Sequence, residues 1–394
     1  MNATLSNNVL TIHLEGHIDS NNAQAVEAEL LAAVDEHPGA GLSLDAAHLE
    51  YISSAGLRIL MRLRKRAKSA IPVLDVSPEV YEVFEVTGFT EFLDVRKRLR
   101  EVSVEGCELI GSGGFGKVYR TDPETIVKVY NPGIRLEMVQ HERDTAQKTF
   151  LAGVPTAISY DVVRCGESYG VVYELLNAKT VAQVIDADRS RVPEMAQKSA
   201  ALLKELHEIE MPGGALPNRK AEFLEWLPNV EPVLEPEEAQ AIRAFIESVP
   251  DRNTFLHGDF NSKNVMVTED GEFLLIDVGD AAVGHPVFDV AGLVLPYVYL
   301  PRSQMPEDEK SRLLGFSLED APAMWAGMCT AYFGVGVSEV GRITQDTSPY
   351  AQLLVSYHGT RRSGFNQDYM RSTSVPGMRQ RLFPLIQAAK PLDW

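Results

Sequence analysis

Residues His257–Asn264 read H-G-D-F-N-S-K-N. An apolar run, Val265–Val267, follows, then a turn at Asp270–Gly271 and a second apolar run, Phe273–Ile276, that ends in Asp277. That order predicts loop, strand, tight turn, strand and acidic residue. It gathers Asp259, Asn264 and Asp277 around one small space. A carboxylate, an amide oxygen and a second carboxylate are what phosphoryl transfer from a magnesium nucleotide requires: one acid orients the attacking hydroxyl, and the other two groups hold metal. Asp also favours turns for its own sake, so either acid alone reads equally well as a hairpin boundary. The motifs upstream shift the balance toward chemistry.

The first of these is Gly111-Ser112-Gly113-Gly114-Phe115-Gly116-Lys117-Val118. A dinucleotide-binding turn or a Walker A loop needs a helix next, but Lys117–Arg120 and Thr125–Tyr130 read as strands. Val118 also lacks the hydroxyl that a Walker A loop offers to magnesium. The pattern G-x-G-x-x-G-x-V between two strands fits a kinase-type loop, in which Gly111, Gly113 and Gly116 let the backbone approach phosphates closely. Lys128, in I-V-K-V-Y, falls where the next strand would carry a phosphate-binding lysine. The helical stretch Arg135–Leu151 offers Glu137 and Glu142 as its ion-pair partner. Glu142 is favoured by its distance to the turn at 152–155, with Glu137 left open. Val171–Asn177 reads as a buried strand running into a connector. A plain core strand explains its apolarity equally well, and position alone makes Glu174 and Leu176 the backbone groups that would meet an adenine.

The elements that must position these groups follow from periodicity. Met195–Ile209 is an amphipathic helix, with Ala200, Leu203, Leu206 and His207 on one side, and His207 reads as a packed structural histidine. Turns are expected at Pro212–Pro217 and Pro228–Pro236, a helix at Glu237–Val249, and a mostly helical tail over Glu307–Trp394. Ahead of the glycine loop, Val9–Leu14, Leu42–Leu44 and Pro72–Val76 read as strands. They alternate with helices at Asn22–Val34, Ser54–Lys68 and Pro78–Val86, which implies a small α/β layer domain. Val95–Glu105 reads as the end of that domain and a short linker. Within Y-I-S-S-A-G-L, at 51–57, two hydroxyls sit where a strand turns into a helix. Ser53 or Ser54 would cap that helix, and a phosphate there would sit favourably at its positive end.

Length and composition bound the function. A chain of 394 residues with 45% apolar and 23% charged residues is globular and long enough for two or three domains. A net charge of −18 leaves no basic surplus for nucleic acid and is compatible with a cationic substrate. The three cysteines, Cys107, Cys165 and Cys329, form no C-x-x-C pair, so neither a disulfide framework nor a zinc site is expected. The start resembles no signal peptide, and the most apolar stretch, Val287–Leu300, is too short to span a bilayer. A reduced, cytoplasmic protein without membrane partners is expected.

The first hundred residues resemble a STAS domain, the fold of anti-sigma-factor antagonists, through the Gly16–Asp19 turn, Asp45 and Y-I-S-S-A-G-L. In that family the serine two before the glycine is phosphorylated by a partner kinase. The resemblance therefore implies Ser54 as a regulatory phosphorylation candidate and a protein partner for this module. Ser53 stands where the family often has Asp. Residues from about 105 to 394 resemble the aminoglycoside phosphotransferase and choline kinase branch of the protein-kinase-like fold. Six ordered motifs carry it: G-S-G-G-F-G-K-V, I-V-K-V-Y, L-L-K-E-L-H, H-G-D-F-N-S-K-N, L-L-I-D and F-D-V-A-G-L. The resemblance implies Asp259 as catalytic base, Asn264 and Asp277 as magnesium ligands, Lys128 on phosphate, and Asp289 bracing the catalytic loop from below.

The fold expected is thus an α/β STAS domain (1–100) followed by an α+β bilobal kinase-like domain, with a nucleotide lobe at 105–178 and a catalytic lobe at 179–394. The function expected is an ATP-dependent phosphotransferase, with Mg2+, acting on a small-molecule hydroxyl and regulated through the STAS domain. His-Gly-Asp in place of His-Arg-Asp, and the short run from Asp277 to Asp289, favour a small-molecule acceptor. An atypical serine protein kinase, or an anti-sigma-antagonist-type signalling protein, acting through Ser54 is the alternative, and a nucleotide-gated scaffold is a third reading. ATP and GTP are not distinguished.

Overall fold

The computed structural model describes residues 2–67, 70–392 and 394. The chain divides into two compact units, Met1–Val102 and Ser103–Trp394.

The first unit runs β1 (Ala3–Ser6), β2 (Val9–Ile18), α1 (Ala23–Glu36), β3 (Gly41–Ile52), α2 (Ser54–Arg66), β4 (Pro72–Val76), α3 (Pro78–Val86) and β5 (Asp94–Lys97). These strands form one sheet in the order β1-β2-β3-β4-β5. Asn7 and Asn8, both at positive φ, turn β1 back onto β2 as an antiparallel hairpin. The remaining pairs are parallel. Along β2, Leu10, Ile12 and Leu14 alternate inward, where they meet Leu44, Ile52, Leu60 and Phe84. One expectation needs correction. The short strand at Leu42–Leu44 is the start of a longer one. Pairing with β2 continues past Asp45 and His48, whose polarity breaks the apolar pattern, and His13 Nδ1 lies 2.9 Å from Asp45 Oδ2 across the pair. The stretch read as the end of this domain and a short linker opens with the last residues of β5, which pairs with β4. Helix α2 is described to Arg66, and Lys68 lies outside the described residues.

The second unit opens with β6 (Glu108–Ser112), β7 (Gly116–Arg120) and β8 (Thr125–Tyr130), then α4 (Leu136–Leu151), β9 (Ser159–Cys165) and β10 (Ser168–Glu174). These strands lie antiparallel in the order β9-β10-β8-β7-β6. A largely helical part follows: β11 (Ala178–Thr180), α5 (Val181–Ala187), α6 (Val192–Leu206), α7 (Arg219–Val230) and α8 (Pro236–Glu247). Next come β12 (Thr254–Leu256), the hairpin β13 (Val265–Thr268) and β14 (Phe273–Leu275), then β15 (Ala282–Gly284), α9 (Val287–Val294), α10 (Ala321–Phe333) and α11 (Val340–Arg362). One apolar core runs through this part, with Phe223, Phe255, Leu256, Leu275 and Val294 fully buried.

Helix α7 was not foreseen, because Pro228 reads as a breaker. It sits in the last turn, and the helix ends two residues beyond it. Asn218 caps the start by accepting from the Ala221 N–H at 2.9 Å, and Phe223, Trp226, Leu227 and Val230 face the core. Among the described residues no helix is long and apolar enough to cross a membrane.

His285 enters this core neutral. Its Nδ1 accepts from the Val287 N–H at 3.1 Å, and its Nε2–H donates to the Trp394 carbonyl at 3.0 Å. Burial pushes its pKa down to about 4; the bond to Trp394 opposes this and the charges of Arg252 and His207 assist it. A folded pKa below the unfolded value means that this stability is full above about pH 6.5 and lost as pH falls toward 4. Urea unfolding at pH 7 and pH 5 should therefore differ by on the order of 2 kcal/mol from this group alone, and the His285→Gln variant should show a correspondingly flatter pH dependence.

Candidate functional site

The loop that follows β12 is held from below by one carboxylate. Asp289, on α9 and fully buried, accepts from the His257 N–H at 2.7 Å through Oδ2 and from the Gly258 N–H at 2.8 Å through Oδ1. His207 donates to the same carboxylate from Nε2 at 3.2 Å, and its Nδ1 accepts from the Tyr332 hydroxyl at 2.6 Å. Burial alone would raise the pKa of Asp289. The His207 bond and charge, His257 and the Gly258 N–H outweigh it and hold the carboxyl below the usual range. Gly258 has φ +84, and a Cβ there would lie 2.1 Å from the Asp280 carbonyl oxygen. Glycine is therefore required between His257 and Asp259. That same Asp280 carbonyl accepts from Arg219 Nη2 at 2.6 Å.

Above this support, His257 shapes the turn. Its Nε2–H donates to the Ile276 carbonyl at 3.3 Å and its Nδ1 accepts from the Asp259 N–H at 3.2 Å. Asn264 Nδ2 donates at 2.9 Å to both the carbonyl and Oδ2 of Asp259. The side-chain amide of Asn261 also donates to Asp259 Oδ1, at 3.2 Å. Asp259 remains exposed to the open cleft. The protein atoms crowding it, together with the negative charges of Asp277 and Asp280, hold its carboxyl above the usual range against the opposing effects of His257 and Asn264.

Across the cleft, Lys128 on β8 places its Nζ 2.7 Å from Glu142 Oε1 on α4 and 2.7 Å from Asp277 Oδ1. Burial works against the ammonium, but these two carboxylates outweigh it and hold its pKa above the ordinary value. Helix α4 turns Glu142 inward and leaves Glu137 exposed. Glu142 is kept in place by Gly279, where a Cβ would come within 2.8 Å of Glu142 Cγ. Asp277 adopts φ +59, a left-handed conformation uncommon for a residue with a side chain.

The glycine stretch forms the hairpin turn between β6 and β7. Gly111 lies in β6, Gly113 in the turn, and Gly116 begins β7, where a Cβ would meet the Val129 carbonyl oxygen at 2.2 Å. Asn131 ties the turn down: its N–H donates to the Phe115 carbonyl and its Nδ2 to the Gly114 carbonyl, each at 2.9 Å. At the connector, the Glu174 N–H is used by Ile158, and the Leu176 carbonyl accepts from Ala178.

Lys128, Glu142 and Asp277 thus meet directly, as do Asp259 and Asn264. Asn131, Arg219, Gly279 and Asp280 also take part and went unnoticed. Gly279 and Asp280 lie in the run after Asp277, and Arg219 opens a helix signalled by Asn218 and by apolar residues at 223, 226, 227 and 230. The donors around the cleft are all oxygen, which suits a hard divalent cation. With Nδ2 turned to Asp259, Asn264 keeps Oδ1 for such an ion, and Asp277 keeps Oδ2. Among the described residues no three His, Cys, Asp or Glu side chains cluster as a self-sufficient metal cage. Magnesium is commonly held by one or two protein groups together with substrate phosphates, so the residues fit it. A surface cavity of about 500 Å3 lies elsewhere, between α6 and the β13–β14 hairpin, and is lined by Pro155, Lys198, Glu205 and Phe273.

In the first unit Ser53, not Ser54, caps α2, its Oγ accepting from the Ala55 and Gly56 N–H groups at 3.2 and 3.5 Å. Ser54 is exposed in the first turn. Gly56 is buried so tightly that a Cβ would meet Ile52 at 2.6 Å.

Residues 107–325, more than half of the chain, match the phosphotransferase enzyme family, and residues 1–97 match the Mlab-type STAS domain. Over 85 residues the chain is 39% identical to BtrV of Bordetella bronchiseptica, a candidate anti-sigma factor antagonist; the match spans 21% of this chain and 72% of that protein. Among solved structures it is similar to ADP-bound aminoglycoside phosphotransferase APH(2'')-Ib (18% identity, 72% of this chain and 92% of that one, TM-score 0.44). It is also similar to an ethanolamine kinase of Plasmodium vivax (12% identity, 72% and 82%, TM-score 0.44). The chain belongs to the phosphotransferase enzyme family and carries a STAS domain ahead of its kinase-like unit. It is a phosphotransferase.

Because Asp289 satisfies two loop N–H groups and His207, Asp289→Asn leaves a buried group unpaired. Urea unfolding should show a loss of about 1–3 kcal/mol relative to the parent.

Proposed function

We propose that this cleft transfers the terminal phosphoryl group of a nucleotide, ATP by family resemblance, to the hydroxyl of a small molecule. The observation that carries the reading is the meeting of Lys128, Glu142 and Asp277 on one side of the cleft with Asp259 and Asn264 on the other. Asp259 accepts the hydroxyl's hydrogen bond and then its proton as the oxygen attacks phosphorus and the bond to the departing diphosphate breaks. Its raised pKa makes it a better proton acceptor than a free aspartate. Lys128, steadied by Glu142, binds phosphate oxygens, and the hairpin turn at Gly113 covers them. Asn264 and Asp277 would hold magnesium, which when bound neutralises charge on the phosphates. Glu174 and Leu176 offer backbone groups to the base.

The STAS unit serves as a regulatory module that meets a protein partner, with Ser54 as its phosphorylation candidate. Ser54's exposure at the positive end of α2 supports that role, since a phosphate added there is stabilised by the helix. The same exposure keeps an atypical serine kinase as the second reading. Three scattered cysteines, at 107, 165 and 329, suit the reducing cytoplasm.

Asp259→Asn keeps the side chain's size and removes its basicity. Turnover of magnesium ATP, with water or added metabolites as acceptor, should fall by about two to four orders of magnitude while nucleotide affinity stays near that of the parent. Unchanged turnover would contradict the assignment. Mapping labelled phosphate separates the two acceptor classes: label in a metabolite supports the first reading, and label on Ser54, lost in Asp259→Asn, supports the second.

A further inference from the structure

The acceptor side of the cleft has a charge arrangement that phosphoryl transfer does not use. Arg219, 4% exposed, opens α7 and lies against Gly258, while its Nη1 sits 2.9 Å from Glu222 Oε2. From there α7 leads to α11. The Tyr357 ring lies 4.9 Å from Phe223 and 6.0 Å from Trp226, and Trp226 Nε1 donates to Thr360 Oγ1 at 2.7 Å. The last turn of α11 is thereby tied, through one helix, to the loop that carries Asp259.

That turn ends in Arg361 and Arg362, both exposed. The Arg361 guanidinium lies 4.9 Å over the Tyr357 ring and donates to its hydroxyl. Among the described residues no carboxylate forms an ion pair with either arginine, whereas Arg189, Arg219, Arg342 and Arg379 are each paired. Other described arginines, such as Arg302 and Arg312, also lack an ion pair, but Arg361 and Arg362 are adjacent and stand at the end of the helix that packs on α7. His358, which feels the charges of Asp280 and of Arg219, Arg361 and Arg362, is pushed down to about 4, chiefly by burial; the three arginines assist and Asp280 opposes. The packing of α7 on α11 thus links the acids at Asp259 and Asp280 to a basic end at Arg361 and Arg362.

We infer that the acceptor carries an anionic group, a phosphate or a carboxylate, received by Arg361 and Arg362 while its hydroxyl meets Asp259. This rests on the phosphotransfer reading of the same cleft. Guanidinium groups suit such anions because their planar donors match two oxygens at once. A purely cationic acceptor would be drawn to the acids and repelled at the far end.

The test uses the full chain with magnesium ADP saturating the nucleotide site, so that added anions do not occupy the phosphate positions beside Lys128. Inorganic phosphate probes for a phosphorylated acceptor, malate for a carboxylic one, and choline chloride at equal ionic strength is the cationic control. Thermal unfolding follows each titration. Phosphate or malate should stabilise the protein with a midpoint in about the millimolar range, and choline should not. Arg361→Ala with Arg362→Ala should raise the midpoint by about tenfold or more, and the corresponding double lysine variant, which keeps the charge but not the planar fork, should recover only part of the affinity. Equal midpoints in the parent and the alanine variant, or no response to either anion, overturn the inference. ADP binding, followed in the same samples, separates the two claims. If ADP binds and no anion does, only the acceptor inference fails; if ADP does not bind, the phosphotransfer reading fails with it.

Discussion

A single buried carboxylate fixes the geometry on which the loop from His257 to Asn264 depends. Asp289 takes the backbone N–H groups of both His257 and Gly258 and is itself held by His207. A charge in a dry core is tolerated only when its hydrogen-bonding capacity is filled. The loop and the histidine fill it, so the loop cannot move without exposing that charge to an apolar surround. The constraint propagates upward. Gly258 is pressed against Asp280, His257 links to Ile276, and Asp259 and Asn264 are left facing one another at the mouth of the cleft.

The opposite wall rests on a second electrostatic arrangement. Lys128 bonds two carboxylates, one from a helix and one from the loop after β14. In the absence of phosphates the lysine and Asp277 neutralise one another. A nucleotide would compete with Asp277 for the lysine and free that carboxylate for a cation. The left-handed backbone of Asp277 is consistent with a residue positioned for its side chain rather than for local comfort.

Much of this was legible in the sequence because the signals are local. Alternation and turn residues mark the hairpin at 265–275, and glycine spacing marks the turn between β6 and β7. Family resemblance then adds roles to positions. What escaped was non-local. Gly279 matters because Glu142, far away in the chain, needs its space. Pro228 hid α7, and with it Arg219, because a proline near a helix end reads as a break. The polar residues of β3 hid its true length, since Asp45 is satisfied by His13 on the neighbouring strand rather than by water alone. The basic end of α11 reads as an ordinary helix terminus until its neighbours are known.

The central claim is that Lys128, Asn264 and Asp277 form a magnesium-nucleotide site. Its most direct measurement is the equilibrium affinity for ATP with and without magnesium, in the parent, Asp277→Ala and Lys128→Ala. Magnesium should tighten binding by about tenfold or more in the parent. Asp277→Ala should lose that enhancement, and Lys128→Ala should bind more weakly while retaining it. An equal magnesium-dependent gain in Asp277→Ala and the parent would contradict the account.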